Sequence, residues 1–173
     1  MDAAEMVANA LSLNANFIAK ALNELSDEDL QKSPKDECNP IGWTIWHQFR
    51  VEDGIISNIS GSDQTWIAGG WHTKFGLDAN PRQNGMGDDM EQVMALKPTV
   101  DNLKGYSDAV REKTLATLKT LSPADLDRDL PGPDGAPRKV GDWLGVIMLD
   151  HFHHSGQVTY LCGYLSSSRW FPL

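Results

Sequence analysis

The sequence predicts an all-α fold, an up-down four-helix bundle, on three observations. Four segments carry apolar residues at helical spacing, the first two opened by a capping signal. No strand alternation of comparable length occurs. One connection, between the second and third helices, is much longer than a bundle turn needs. The 173 residues make one domain, 1–173, long enough to bury a sizeable core.

The first helix runs from an Asp2 cap to about Leu25, with Val7, Leu11, Ile18, Leu22 and Leu25 as its apolar stripe. Ser26-Asp27-Glu28-Asp29-Leu30 reads as a cap and one acidic turn. Asn39 as N-cap and Pro40 as first helical residue open the second helix, Ile41 to about Ile59. It is apolar on nearly every side, so it is buried among other helices, and His47 is embedded in it. Residues 60–98 are the least regular stretch, broken by glycines yet carrying Trp66, Trp71 and Phe75. A long loop with aromatics is usually functional, and this one is expected to roof a cleft. The third helix spans about Thr99 to Leu121. Ser122-Pro123 then starts a short turn, Ala124 to Asp127, and a Pro/Gly-rich loop follows. The fourth helix runs from about Val140 to Leu165. Leu25-Ser26-Asp27-Glu28-Asp29-Leu30 echoes Leu121-Ser122-Pro123-Ala124-Asp125-Leu126, a hint of two related helix pairs.

Hydrophobic residues make up 40%, charged residues 23%, and the net charge is −9. That acidity argues against an electrostatic grip on nucleic acid or an anionic membrane. Two cysteines, Cys38 and Cys162, give no disulfide framework, so a reduced cytoplasmic compartment is expected. Cys162 reads as a core filler, and Cys38 as a loop thiol without a visible activating environment. The N-terminus does not read as a signal peptide, and no apolar run is long enough to span a bilayer. Trp170-Phe171 leaves apolar surface on a short tail that docks on its own chain or on a partner, and a homodimer is the expectation.

The anomaly lies in the stripe of the fourth helix: Val140, Trp143, Ile147, Asp150, His154, Val158, Leu161, Leu165. Asp150 and His154 are one helical turn apart and leave the same face, so both can grip one ion. An unpartnered carboxylate buried there is costly, and a divalent metal relieves the cost. His47, in the other apolar helix, is the best third ligand, since bundles build metal sites from facing helices. His151 could replace Asp150 as ligand or serve in support, although the stripe favours Asp150. His153 points aside, and His72 lies in the loop. The competing reading is a buried Asp–His dyad with no metal.

The segment Asn39-Pro40-Ile41-Gly42-Trp43-Thr44-Ile45-Trp46-His47, with Arg50 and Glu52-Asp53 after it, resembles the second helix of DinB-like proteins. Asp150-x-x-x-His154-x-Gly156-Gln157, followed by Tyr160 and Gly163, resembles their last helix. Trp66, Gly70-Trp71, Phe75-Gly76-Leu77, Gly85-Met86-Gly87 and Glu91-Gln92-Val93 extend the likeness over nearly the whole chain. The nearest branch is that of mycothiol-dependent maleylpyruvate isomerases and other thiol-dependent transferases. The resemblance implies a divalent metal at His47, Asp150 and His154, where many relatives have three histidines and a subset has aspartate at the Asp150 position. A carboxylate is a harder ligand than imidazole; zinc or nickel is expected first, manganese or iron next.

The implied chemistry is thiol-dependent S-transfer or isomerisation, in which a low-molecular-weight thiol such as mycothiol or bacillithiol attacks an electrophile. The partners are then a small thiol and an electrophile, with no nucleic acid and no membrane. Metal-dependent hydrolysis, with water as nucleophile, needs the same three ligands. A non-catalytic, stress-related bundle with a structural metal is the reading outside enzymology, and a fourth protein ligand would favour it. Arg50 either meets an anionic group of the substrate or pairs with Asp53. Trp71 is a candidate substrate contact.

Overall fold

The structure, a computed structural model, describes residues 1–132, 135–167 and 170. Helix α1 spans Ala3–Glu24 behind the expected Asp2 cap, whose side chain accepts from Glu5 N while Glu5 reaches back to Asp2 N. Helix α2 spans Ile41–Ser60. Its N-cap is Pro40, not Asn39, and no side chain caps it; the Thr44 hydroxyl instead donates to the Pro40 carbonyl at 2.9 Å. Every residue from Pro40 to Asp53 is buried, as an all-round apolar helix requires.

The connection after α2 is less irregular than its glycines suggest. It folds into three short helices, α3 (Thr65–Ala68), α4 (Trp71–Lys74) and α5 (Met90–Ala95). Helix α6, Val100–Leu118, starts at a Thr99 cap and closes before Leu121, because the amides of Thr120 and Leu121 turn back to Thr117 and Leu118. The Pro/Gly-rich segment forms a small antiparallel hairpin, β1 (Asp129–Pro131) with β2 (Pro137–Lys139). Helix α7 runs Val140–Ser166.

The all-α bundle expected from the sequence is what forms, from α1, α2, α6 and α7. Helices α1 and α2 each pack on both α6 and α7. The direction of α6 is a finding of the structure. Leu103 and Tyr106 pack with the first half of α2, and Leu118 with Ile56 and Ile59 near its end, so α6 runs parallel to α2. The order is therefore up-down-down-up, and the long connection is what carries the chain back along the ~30 Å of a 20-residue helix.

The echo between the two capping turns is structural. Ser26 N and Oγ donate to Asp29 Oδ2 at 3.0 and 2.7 Å; Ser122 N and Oγ donate to Asp125 Oδ2 at 2.8 and 2.6 Å. Each turn then hands its chain to a long helix by a backbone bond, Ile41 N to Lys32 O and Val140 N to Arg128 O.

Two hydrophobic clusters fill the bundle, one around Trp46, Phe49, Trp66 and Tyr106, the other around Leu11, Ile56, Trp143 and Ile147. Buried polar side chains from all four helices sit in the same interior: Asn14, Gln48, Glu52, Arg111, Thr114, His151 and Ser155. Trp170 docks on its own chain, its indole donating to Glu24 at 2.5 Å beneath Lys20. The Phe171 half of the expected apolar tail lies outside the described residues.

Candidate metal centre

Helices α2 and α7 lie antiparallel, and their seam brings His47, Asp150 and His154 together. One ligand atom from each lies within 4.8 Å of the others. Asp150 Oδ1 is 3.7 Å from His47 Nε2 and 3.5 Å from His154 Nε2. Ligands at about 2.1 Å around a tetrahedral ion stand roughly 3.4 Å apart, so the spacing suits a shared cation.

Each imidazole is oriented from behind. His47 Nδ1–H donates to the Asn84 carbonyl, and His154 Nδ1–H donates to Gln157 Oε1 at 2.8 Å. Both Nε2 lone pairs are thereby turned towards Asp150, which is how proteins present histidine to a metal. Trp43 stacks on the His47 ring at 4.8 Å, only 6° from parallel, and fixes its plane. Asp150 Oδ2 is buried and has no hydrogen-bond partner. A desolvated carboxylate oxygen with no donor to accept from fits a position beside a cation.

The charges agree. Burial pushes His47 below the usual imidazole value, against the pull of the Asn84 carbonyl and Asp150. Burial likewise lowers His154, against Gln157, and raises Asp150, against His47 and His151. Neutral imidazoles are the form that binds metal. Two nitrogens and one carboxylate oxygen therefore fit a divalent ion, and among the described residues no fourth histidine, cysteine or acid joins them. His151 is engaged elsewhere: its Nε2 stands 2.7 Å from Glu52 Oε2. His72 faces the Trp66 carbonyl at 3.1 Å, and His153 is exposed.

Arg50 is almost wholly buried, and protein acceptors surround its guanidinium. Nε donates to Gln83 O at 2.9 Å, and Nη1 donates to Gln64 Oε1 at 3.0 Å and stands 3.6 Å from Asp53. The geometry therefore favours the structural reading, the pairing with Asp53, over a substrate contact. Asp53 in turn accepts from the amides of Thr65 and Trp66 at 2.9 and 2.8 Å and from Tyr106 at 3.0 Å. This network staples the long connection to α2 and so sets the Asn84 carbonyl on His47.

The expected aromatic roof is corrected. Trp66 and Phe75 are buried in the core around Tyr106, and Trp71 packs on Tyr106 and under Lys74. They bear on the connection itself rather than on the metal ligands. The backbone at Asn84–Gly85 and the Trp43 ring cover His47 instead. Glu52, missed from the sequence, is a fully buried carboxylate between Arg111 at 3.0 Å, His151 and the Thr114 hydroxyl at 2.5 Å. Its signal was a charged residue inside a helix that is apolar on nearly every side.

A four-helix bundle with two histidines and one carboxylate at an antiparallel helix seam defines a class of bundle with a potential metal site. The chain belongs to the DinB superfamily, whose family model matches residues 10–158. The chain is also similar to a solved structure described as the conserved protein of a locus from Enterococcus faecalis. The TM-score is 0.81 at 21% identity, over 97% of this chain and 99% of that one, a likeness that shows the fold. No curated protein matches. Among the described residues, no helix is long and apolar enough to cross a membrane.

Proposed function

We propose that the protein is a metal-dependent enzyme that activates a small thiol for transfer to an electrophile or for isomerisation. His47, Asp150 and His154 are its metal ligands. What carries the reading is the convergence of two back-oriented imidazoles on a carboxylate whose second oxygen lacks a partner. Bound there, a divalent cation supplies Lewis acidity that makes a thiol a thiolate near neutral pH. The chain's own residues do the rest. Burial favours the neutral imidazoles, Asn84 and Gln157 hold them correctly turned, Trp43 screens His47 from water, and three protein ligands leave room for a substrate atom.

Of the candidate substrate contacts, Trp71 would act at a distance from the ligands and Arg50 through the connection it anchors. A second copy would associate through the exposed Leu149, Phe152, Tyr160 and Tyr164 of α7.

Elemental analysis of untagged protein tests the metal. Zinc or nickel near one per chain is expected, with loss in His47→Ala and Asp150→Ala. Assay of the loaded protein with mycothiol, bacillithiol and glutathione against a haloalkane-type fluorogenic electrophile tests the chemistry. Turnover no greater than that of His47→Ala with every thiol would reject thiol transfer, and ester cleavage without thiol would redirect it to hydrolysis.

A further inference from the structure

Two cavities flank the cluster along the α2–α7 seam. Because the helices are antiparallel, the turn before His47 and the turn after His154 lie at one level. There Thr44 and Gln157 line a cavity of about 310 Å³, with Cys38 and Tyr160. In the other direction, Val51 follows His47 and Val146 precedes Asp150. Both line a cavity of about 560 Å³, with Asn84 and Trp143. Neither lining includes the three ligands. Each lining does include a residue that holds one imidazole, Gln157 on His154 in the first and Asn84 on His47 in the second.

The cavities differ in charge. Glu37 is the sole ionic side chain lining the first. Arg50 and Arg82 are the ionic side chains lining the second. Arg50 is surrounded by protein acceptors, whereas Arg82 stands at the surface in a turn fixed by its amide bonding Asn80 Oδ1 at 3.0 Å. Asp88, which acts on His47 electrostatically, lines neither cavity. On a chain of net charge −9, a cavity whose ionic lining is arginine alone departs from its surroundings. Val51, Ile55, Met86, Trp143 and Val146 make up much of its remaining wall, with Asn58 and Asn84 as the polar side chains.

We infer that the cluster is served from two sides by sites of opposite preference. The cavity at Asn84 takes a small carboxylate with an apolar body, held by Arg82, and the cavity at Gln157 takes a small primary amine, held by Glu37. This rests on the metal reading above and deepens it. Two molecules of different charge would be presented to one centre from opposite ends of the seam, as a bimolecular reaction needs.

The test is a titration of zinc-loaded, nitrogen-15-labelled full-length protein with phenylbutyrate and with phenylbutylamine, using matched sodium chloride as the blank. Phenylbutyrate is expected to move the Arg82 and Asn84 amides and the Trp143 indole, and phenylbutylamine the Cys38 amide and the Gln157 side chain. Arg82→Glu should weaken phenylbutyrate about fivefold and spare the amine, and Glu37→Gln should do the reverse. Both substitutions are at exposed positions, so folding is retained. Both probes moving one set of signals, neither probe moving them, or either variant weakening both probes alike overturns the inference. Zinc content measured on the same sample separates the two readings. A loaded protein that does not sort the probes overturns this inference alone, and a protein that takes up no metal overturns the metal reading and this inference with it.

Discussion

At the residue scale, Glu52 and Gly85 show how far the site depends on residues outside the three candidate ligands. Burial raises the Glu52 carboxyl, but Arg111, His151 and Thr114 outweigh it and hold the group below the usual carboxylate value. A depressed folded value means stability that is present above about pH 4.3 and lost as the pH falls through the folded value. Glu52→Gln is therefore expected to cost about 3 kcal/mol at neutral pH by leaving Arg111 unpaired, and to flatten the acid limb of stability. Thermal melts from neutral to acid pH check it, and parallel curves for both proteins would contradict it. At Gly85 the backbone has φ +88, and an added Cβ would meet Trp43 Cζ2 at 2.5 Å. Gly85→Ala should cost about 1–3 kcal/mol and weaken zinc binding, since it pushes the Asn84 carbonyl off His47. Gly87→Ala, with φ +87 but open space around it, should carry the backbone cost and leave zinc affinity intact. Denaturant midpoints and zinc titrations of the pair decide.

At the scale of elements, the connection between α2 and α6 is held by charge more than by its own helices. Asp53, Arg50 and Tyr106 form a closed buried network from which α3 hangs by two backbone amides. Burial drives the Tyr106 hydroxyl well above its usual value, with Arg50 opposing, so it stays a neutral donor. Asp53→Asn should remove about 2 kcal/mol and release the connection while the bundle persists. Hydrogen exchange should then quicken at Thr65, Trp66 and the amides leading to Asn84, with α7 unchanged. Uniform quickening would mean that the network supports the whole bundle instead.

At the scale of the whole molecule, a cation at the α2–α7 seam would join the antiparallel pair from which one face of the bundle is made. It would bind the folded chain and not a dispersed set of ligands, and so would add stability by mass action. Zinc at a hundred times its dissociation constant should add about 2.7 kcal/mol and raise the melting temperature, and chelation should reverse it. Asp150→Ala should melt at one temperature with or without zinc. A zinc effect that survives that substitution would place the ion elsewhere.

Periodicity was enough to mark the four long helices, with Asp2 also marking the start of the first. Apolar stripes set which faces are buried, and Asp2, Thr99 and the Ser–Asp turns carry their own hydrogen-bonding logic. The three converging side chains were legible too, because a carboxylate and a histidine one turn apart interrupt an apolar stripe, and a local pattern survives in sequence. The direction of α6, the loop carbonyls and Gln64 that Arg50 meets besides Asp53, the partners of Glu52, and the backbone carbonyl on His47 were not. Each depends on residues distant in sequence meeting in a dry interior, where desolvation decides which ion pairs form. Such meetings exist only once the chain has packed.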